Sequence, residues 1–174
     1  MRTQKLNNII NHYKRWKSEN PDSWIKHCVN QTQLENVIIY AALAENHLGK
    51  RNNHQRRLKK VNLEKFAANL VDKIDQIEKV KSFDELLKVI ESQKVNGIGK
   101  LTCYDTAHRI GAKLRLEPDF IYLHAGTKTG AKKLLNEQLP KKHLRKTDLP
   151  SPFQRADLTP AEIEDILCIY KKRF

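Results

Sequence analysis

Residues 95–115 read VNGIGKLTCYDTAHRIGAKLR. Two glycines, Gly97 and Gly99, stand one residue apart between two stretches of helical pattern. Before them, Leu86, Leu87, Val89 and Ile90 recur at helical spacing behind Ser82, with Glu85 placed as in a capping box. After them, the pattern predicts a helix over 100–114. Glycine accepts positive φ or lets another backbone approach closely, and Ile98 can plug the gap between the two helices. The N–H groups of Gly99, Lys100 and Leu101 then point outward at the positive end of the second helix, where a phosphate oxygen fits. Lys100 adds charge there, and the helix carries Arg109 and Lys113, followed by Arg115. An ordinary helix cap uses the same glycines and is the plainer alternative.

Working outward, helices dominate. Leu6, Ile9, Ile10 and Tyr13 predict a helix over 3–18, and Pro21-Asp22-Ser23 starts a short one over 22–29. Apolar residues from Leu34 to Leu48 mark a third over 31–47, stopped by Gly49. Leu63 to Ile77 define a long amphipathic helix over 62–79. Residues 127–135 suggest another. Thr159-Pro160-Ala161-Glu162 launches a last helix to the C-terminus. The stretch 140–157, with Pro140, Pro150 and Pro152, reads as irregular. Period-two alternation is nearly absent; PDFIYLHAG (118–126) is one short strand or a buried helical turn. The expected fold class is all-α, a single helical domain over 1–174 or two lobes of about 1–80 and 81–174.

Charge narrows the partner. The chain of 174 residues has 33 Lys plus Arg against 20 Asp plus Glu, a net +13, which argues for a polyanion, most often nucleic acid. The charge is clustered. GKRNNHQRRLKK (49–60) holds six Lys/Arg and no acid, and 127–146 holds seven against one Glu, Lys128 and Lys132 among them. The plain alternative is a pair of solvated basic faces. The three cysteines, Cys28, Cys103 and Cys168, lack metal-ligand spacing, so neither a metal nor another cofactor is expected. The first 20 residues lack an apolar core long enough for a signal peptide or membrane span. The expectation is a soluble cytoplasmic protein, nucleoid-associated if bacterial, with no membrane partner.

The pattern from Ser82 to Leu114, an apolar helix, then hydrophobic–x–Gly–hydrophobic–Gly over Val95–Gly99, then a second helix, resembles the helix-hairpin-helix DNA-binding motif. The resemblance implies that the turn amides grip the DNA backbone without reading sequence. It extends to base-excision DNA glycosylases of that superfamily, which place a catalytic Asp nearly twenty residues past the turn; here Asp119 stands there. Such a carboxylate stabilises the cationic sugar formed as a glycosidic bond breaks, or activates water. The chain departs from the family. Leu101 occupies the position of the lysine of bifunctional members, Glu117-Pro118-Asp119-Phe120 replaces the usual segment around the Asp, and the cysteine cluster of some members is missing. The resemblance therefore implies a monofunctional or diverged enzyme rather than Schiff-base chemistry.

Other candidates come from the residues themselves. Asp105 and Arg109 are spaced for an i,i+4 ion pair, whose default meaning is helix support. With Tyr104 and His108 they also make a plausible pocket wall. His54, Gln55, Arg56 and Arg57 offer phosphate donors, an amide suited to base edges and a group that titrates near neutrality. His124 lies close to Asp119 in sequence and is commonly structural. Asp119, Asp105, His54 and His124 are the catalytic candidates. Gly97, Gly99, Lys100, Arg56, Arg57, Arg109, Lys113, Lys128 and Lys132 are the nucleic-acid-binding ones. Trp16, Trp24 and Tyr13 could stack on a base, but such residues in amphipathic helices are commonly core. The sequence thus leads to a duplex-DNA-binding protein that removes a damaged or modified base. The alternatives are a non-catalytic nucleic-acid-binding module and a domain whose basic surface meets an acidic protein.

Overall fold

The computed structural model describes residues 2–136, 138–140 and 142–174. Glu137 and Lys141, both within the second basic run, lie outside the described residues. The described chain is mostly helical, with one small antiparallel pair of strands. It divides into two compact units, Asp22–Glu117 and a second made from residues 2–21 with Pro118–Phe174. The division falls at Pro21 and Pro118 rather than near residue 80. The first helix joins the C-terminal core, where its Leu6, Ile9, Ile10 and Tyr13 cluster with Ile121, Phe153, Ile163 and Leu167.

The central unit contains α2 (Ser23–Val29), α3 (Leu34–Leu43), α4 (Lys60–Val71), α5 (Ile74–Lys79), α6 (Phe83–Ser92) and α7 (Lys100–Leu114). Helix α7 packs against α2, α3 and α6. Its buried Cys103, Tyr104, Ala107 and Ile110 occupy that position. Caps set several boundaries. The Asp22 carboxylate accepts from the amides of Trp24 and Ile25, both at 2.9 Å. Ser82 accepts from the Glu85 amide at 3.2 Å, while the Glu85 carboxylate takes the Lys81 amide at 2.7 Å, so only half of the expected box forms.

Two expected helices are shorter. Helix α3 ends at Leu43 because Ala44 turns left-handed (φ 56) and the chain folds back, bridging Glu45 to Arg51. Gly49 (φ 66) forms the tip of that loop rather than the helix stop. The helix expected over 62–79 breaks after Val71, with Lys73 outside helical geometry (φ −108, ψ 13), and α5 turns to pack on α6 and bury Ile77.

The other unit holds α1 (Arg2–Glu19), β1 (Ile121–Tyr122), α8 (Ala125–Leu135), β2 (His143–Leu144), two 3-10 turns (Lys146–Asp148 and Ser151–Gln154) and α9 (Pro160–Ile169). Strand β1 pairs antiparallel with β2, Ile121 opposite Leu144. The irregular stretch is thus a strand followed by two turns that bury Phe153. Thr159 and Glu162 form a full capping box at α9, 3.2 and 2.9 Å, and the helix ends at Ile169, short of the C-terminus. Helix α8 packs on α9, where Thr127 donates to the buried Glu164.

All three cysteines are free thiols. Burial pushes those of Cys28 and Cys103 up to about 11, which keeps them protonated and unreactive at neutral pH. Tyr13 is buried and donates to Asp165 at 2.7 Å, and the Trp24 indole donates to the Lys50 carbonyl at 2.9 Å. Trp16 is 43% exposed. Among the described residues no helix is long and apolar enough to cross a membrane.

Candidate nucleic-acid interface

The turn between α6 and α7 is built by three residues with different tasks. Gly97 adopts φ +86, a conformation L side chains rarely take, so the backbone demands glycine; a Cβ there would also meet the Asn62 side-chain amide at 2.7 Å, the end of a side chain that can move. Ile98 is buried at 5% exposure, and its amide donates to the Val95 carbonyl at 3.0 Å. Gly99 is the N-cap residue of α7 and, lacking a side chain, offers no capping oxygen. The first amide to close the helix is that of Cys103, on the Gly99 carbonyl at 3.1 Å. By helix geometry the N–H groups of Lys100, Leu101 and Thr102 then have no carbonyl of their own helix to meet. Gly99 and Lys100 are exposed.

The basic loop in the same unit is held by asparagines. The buried Asn46 side chain accepts from the amides of Leu48 (3.1 Å) and Lys50 (3.0 Å) and donates to Ser23 Oγ at 3.1 Å. Asn52 accepts from the His54 amide at 3.0 Å. With the backbone so tied, Lys50, Arg56, Arg57, Lys59 and Lys60 lie exposed.

Gln55 turns the other way and is fully buried. Its Nε2 donates to Asp105 Oδ2 at 2.7 Å, and its Oε1 accepts from Arg109 Nη2 at 3.2 Å. The expected direct pair between Asp105 and Arg109 is therefore absent; Gln55 sits between them. Arg109, 4% exposed, also donates from Nη1 to the Ala41 carbonyl of α3 at 3.2 Å. His54 Nδ1 completes the cluster, 3.1 Å from Asp105 Oδ2. The Asp105 side chain is 16% exposed and that of His54 55%. Burial is the largest single influence on Asp105 and pushes its carboxyl upward. The His54 hydrogen bond, the Arg109 charge and the Gln55 hydrogen bond together outweigh it and hold the carboxyl below its ordinary value.

Two expectations follow from this geometry. Gln55→Ala leaves a buried guanidinium and a buried carboxylate each short of a partner, and is expected to cost about 3 kcal/mol in urea denaturation. Because the Asp105 carboxyl is held low in the folded state, its stabilisation is complete above the unfolded value near ~4 and is lost as pH falls further.

The other expected site residues are placed as follows. Of the residues expected at phosphate, Arg109 is buried in the unit, and the half-buried Lys113 is engaged with backbone carbonyls. Lys113 donates to the carbonyls of Val29 (3.0 Å) and Gln31 (2.6 Å), covering the open C-terminal end of α2. Tyr104 is core, edge-on to Phe83 at 5.7 Å. In the other unit, Lys128 and Lys132 are exposed on α8, whereas Lys146 turns inward onto the Arg155 and Leu158 carbonyls, both at 2.7 Å. Asp119 is exposed, and His124 is half-buried at the head of α8, stacked with Tyr122 at 6.5 Å. Of the four catalytic candidates, His54 and Asp105 are bonded to each other. The sequence reading missed the inward turn of Gln55 and the loop-building role of Asn46. An Asn three residues before a Gly was the available signal for Asn46; Gln55 had none. Compared with protein-family models, curated proteins and solved structures, the chain matches none.

Proposed function

We propose that this protein binds duplex DNA by its phosphate backbone, through the glycine turn and basic loop of the central unit. The observation that carries the reading is the N-terminus of α7. It is uncapped by any side chain, preceded by a glycine at positive φ, and headed by exposed Lys100. Free amides at a positive helix end suit a phosphate oxygen. The net charge of +13 and the exposed cations of the loop support a polyanion as ligand. The resemblance of residues 82–114 to the helix-hairpin-helix motif adds to this. Lys100→Glu places an anion at that helix end and is expected to weaken duplex binding about tenfold or more at 0.1 M salt. Unchanged affinity would remove the turn from the interface.

A second reading is removal of a damaged or modified base, favoured by the ionised, mostly buried carboxylate of Asp105 beside the exposed His54. A carboxylate so placed can stabilise a sugar cation or orient water. Asp119 is the alternative carboxylate, by its distance from the turn. The test is incubation with duplexes carrying a panel of altered bases, followed by alkali to break abasic sites. Release that survives in both Asp105→Asn and Asp119→Asn removes these carboxylates from the chemistry. Binding with no release by the wild type leaves a binding module.

A further inference from the structure

We propose that His54 is a proton-dependent phosphate ligand on the basic loop, so that binding to the nucleic-acid backbone tightens as the pH falls through the histidine range. The inference rests on the duplex-binding reading above and adds a regulated contact to it.

The geometry places the imidazole between two environments. Inward, Nδ1 lies 3.1 Å from Asp105 Oδ2 of α7. Outward, the side chain is 55% exposed and is followed in the loop by exposed Arg56 and Arg57. The charged groups around it include Asp105 of α7, with Arg109 behind it, and the two arginines that follow in the loop; His108 stands three residues beyond Asp105 on the same helix. Their charges decide what a proton on His54 does. The Asp105 carboxylate is already matched by Arg109, through the Gln55 amide that bonds both. Negative and positive charge behind the ring therefore cancel before His54 titrates. A proton on His54 adds a net positive charge to the cluster, at its exposed edge. The carboxylate at Nδ1 fixes the orientation of the ring. With its amide tied to Asn52, the imidazole is held rather than free to swing away from the arginines.

Neutral His54 contributes no countercharge, whereas the cation adds one phosphate contact. Each such contact changes the slope of log K against log salt by about 0.9. The experiment is a titration of a labelled 20-base-pair DNA duplex with the whole protein at pH 6 and pH 8, at several salt concentrations. Wild type is expected to bind about fivefold more tightly at pH 6 at 0.1 M salt, with a slope steeper by up to about 0.9. His54→Gln is expected to lose most of that ratio. His54→Lys is expected to bind tightly at both pH values. His47, exposed three residues before Lys50, is the control, and His47→Gln is expected to keep the wild-type ratio. Circular dichroism and urea denaturation establish that each variant folds. Duplex binding whose pH ratio is unchanged in His54→Gln overturns this inference and leaves the binding reading standing. No duplex binding at either pH overturns both.

Discussion

Changing Arg56 and Arg57 together to alanine is expected to weaken duplex binding on the order of 50-fold at 0.1 M salt, evenly across sequences. Each phosphate neutralised by a cation contributes about 0.9 to the salt slope, which is about eightfold in affinity per contact between 1 M and 0.1 M salt. Two contacts multiply. Both side chains are exposed and neither bonds to another described residue, so their removal leaves the fold intact and urea stability within about 0.5 kcal/mol of wild type. The loop backbone stays in place because Asn46, Asn52 and Gln55 hold it, not the arginines. The salt slope is expected to fall by about two. Equal affinity in the double variant would mean that the loop is a solvated basic face and nothing more.

Gly130→Ala is expected to destabilise the unit built on α8 and α9 by about 3 kcal/mol. The buried face of α8 is Thr127, Gly130, Ala131 and Leu134, against Ile163, Glu164, Ile166 and Leu167 of α9. A methyl group at Gly130 would overlap the backbone carbonyl of Leu167. Backbone cannot rotate aside as a side chain can, so the helices must separate. Separation loosens Ala131 and Leu134, which are otherwise buried in this core. Alanine returns about 1 kcal/mol of helix propensity, too little to offset the loss. Gly126→Ala is the comparison, because its new methyl meets mainly the Cys168 sulfur, the end of a side chain that can turn. It is expected to cost less than half as much. Urea denaturation followed by Trp16 fluorescence in a Trp24→Phe background reads both. A Gly130→Ala loss below about 0.5 kcal/mol would contradict the close approach of α8 and α9.

The parts of the fold readable in advance are those that local chemistry determines. Asp22, Ser82 and Thr159 announce helix starts because a cap satisfies amides two or three residues away. Helix α7 begins and ends where the pattern from Lys100 to Leu114 places it. The ends of α3 and the break between α4 and α5 were hidden, since tertiary contacts decide them. Ala44 turns left-handed within a loop organised by the Asn46 side chain, and α5 departs from α4 to bury Ile77. The pairing of Ile121–Tyr122 with His143–Leu144 joins segments about twenty residues apart, which period-two alternation in so short a strand cannot announce.

The candidate site divides the same way. Exposure of Arg56, Arg57 and Lys100 follows from their type, and Gly97 declares its own conformation. Arg109 and Lys113 share the basic character of those residues, yet their positions on α7 face other helices, and they serve carbonyls there. The spacing of Asp105 and Arg109 predicts a direct pair. Gln55, from a loop 50 residues earlier, enters between them instead, and nothing in its neighbours GKRNNH and RRLKK marks it as buried.

The central claim is that this chain grips a nucleic-acid backbone. The measurement that tests it most directly is anisotropy titration of a labelled DNA duplex with the whole protein between 50 and 300 mM salt. The account predicts saturable binding whose log K falls linearly with log salt at a slope of about −4 or steeper, from Lys50, Arg56, Arg57, Lys59, Lys60 and Lys100. Absence of saturable binding at 50 mM salt, or a slope near zero, would contradict it.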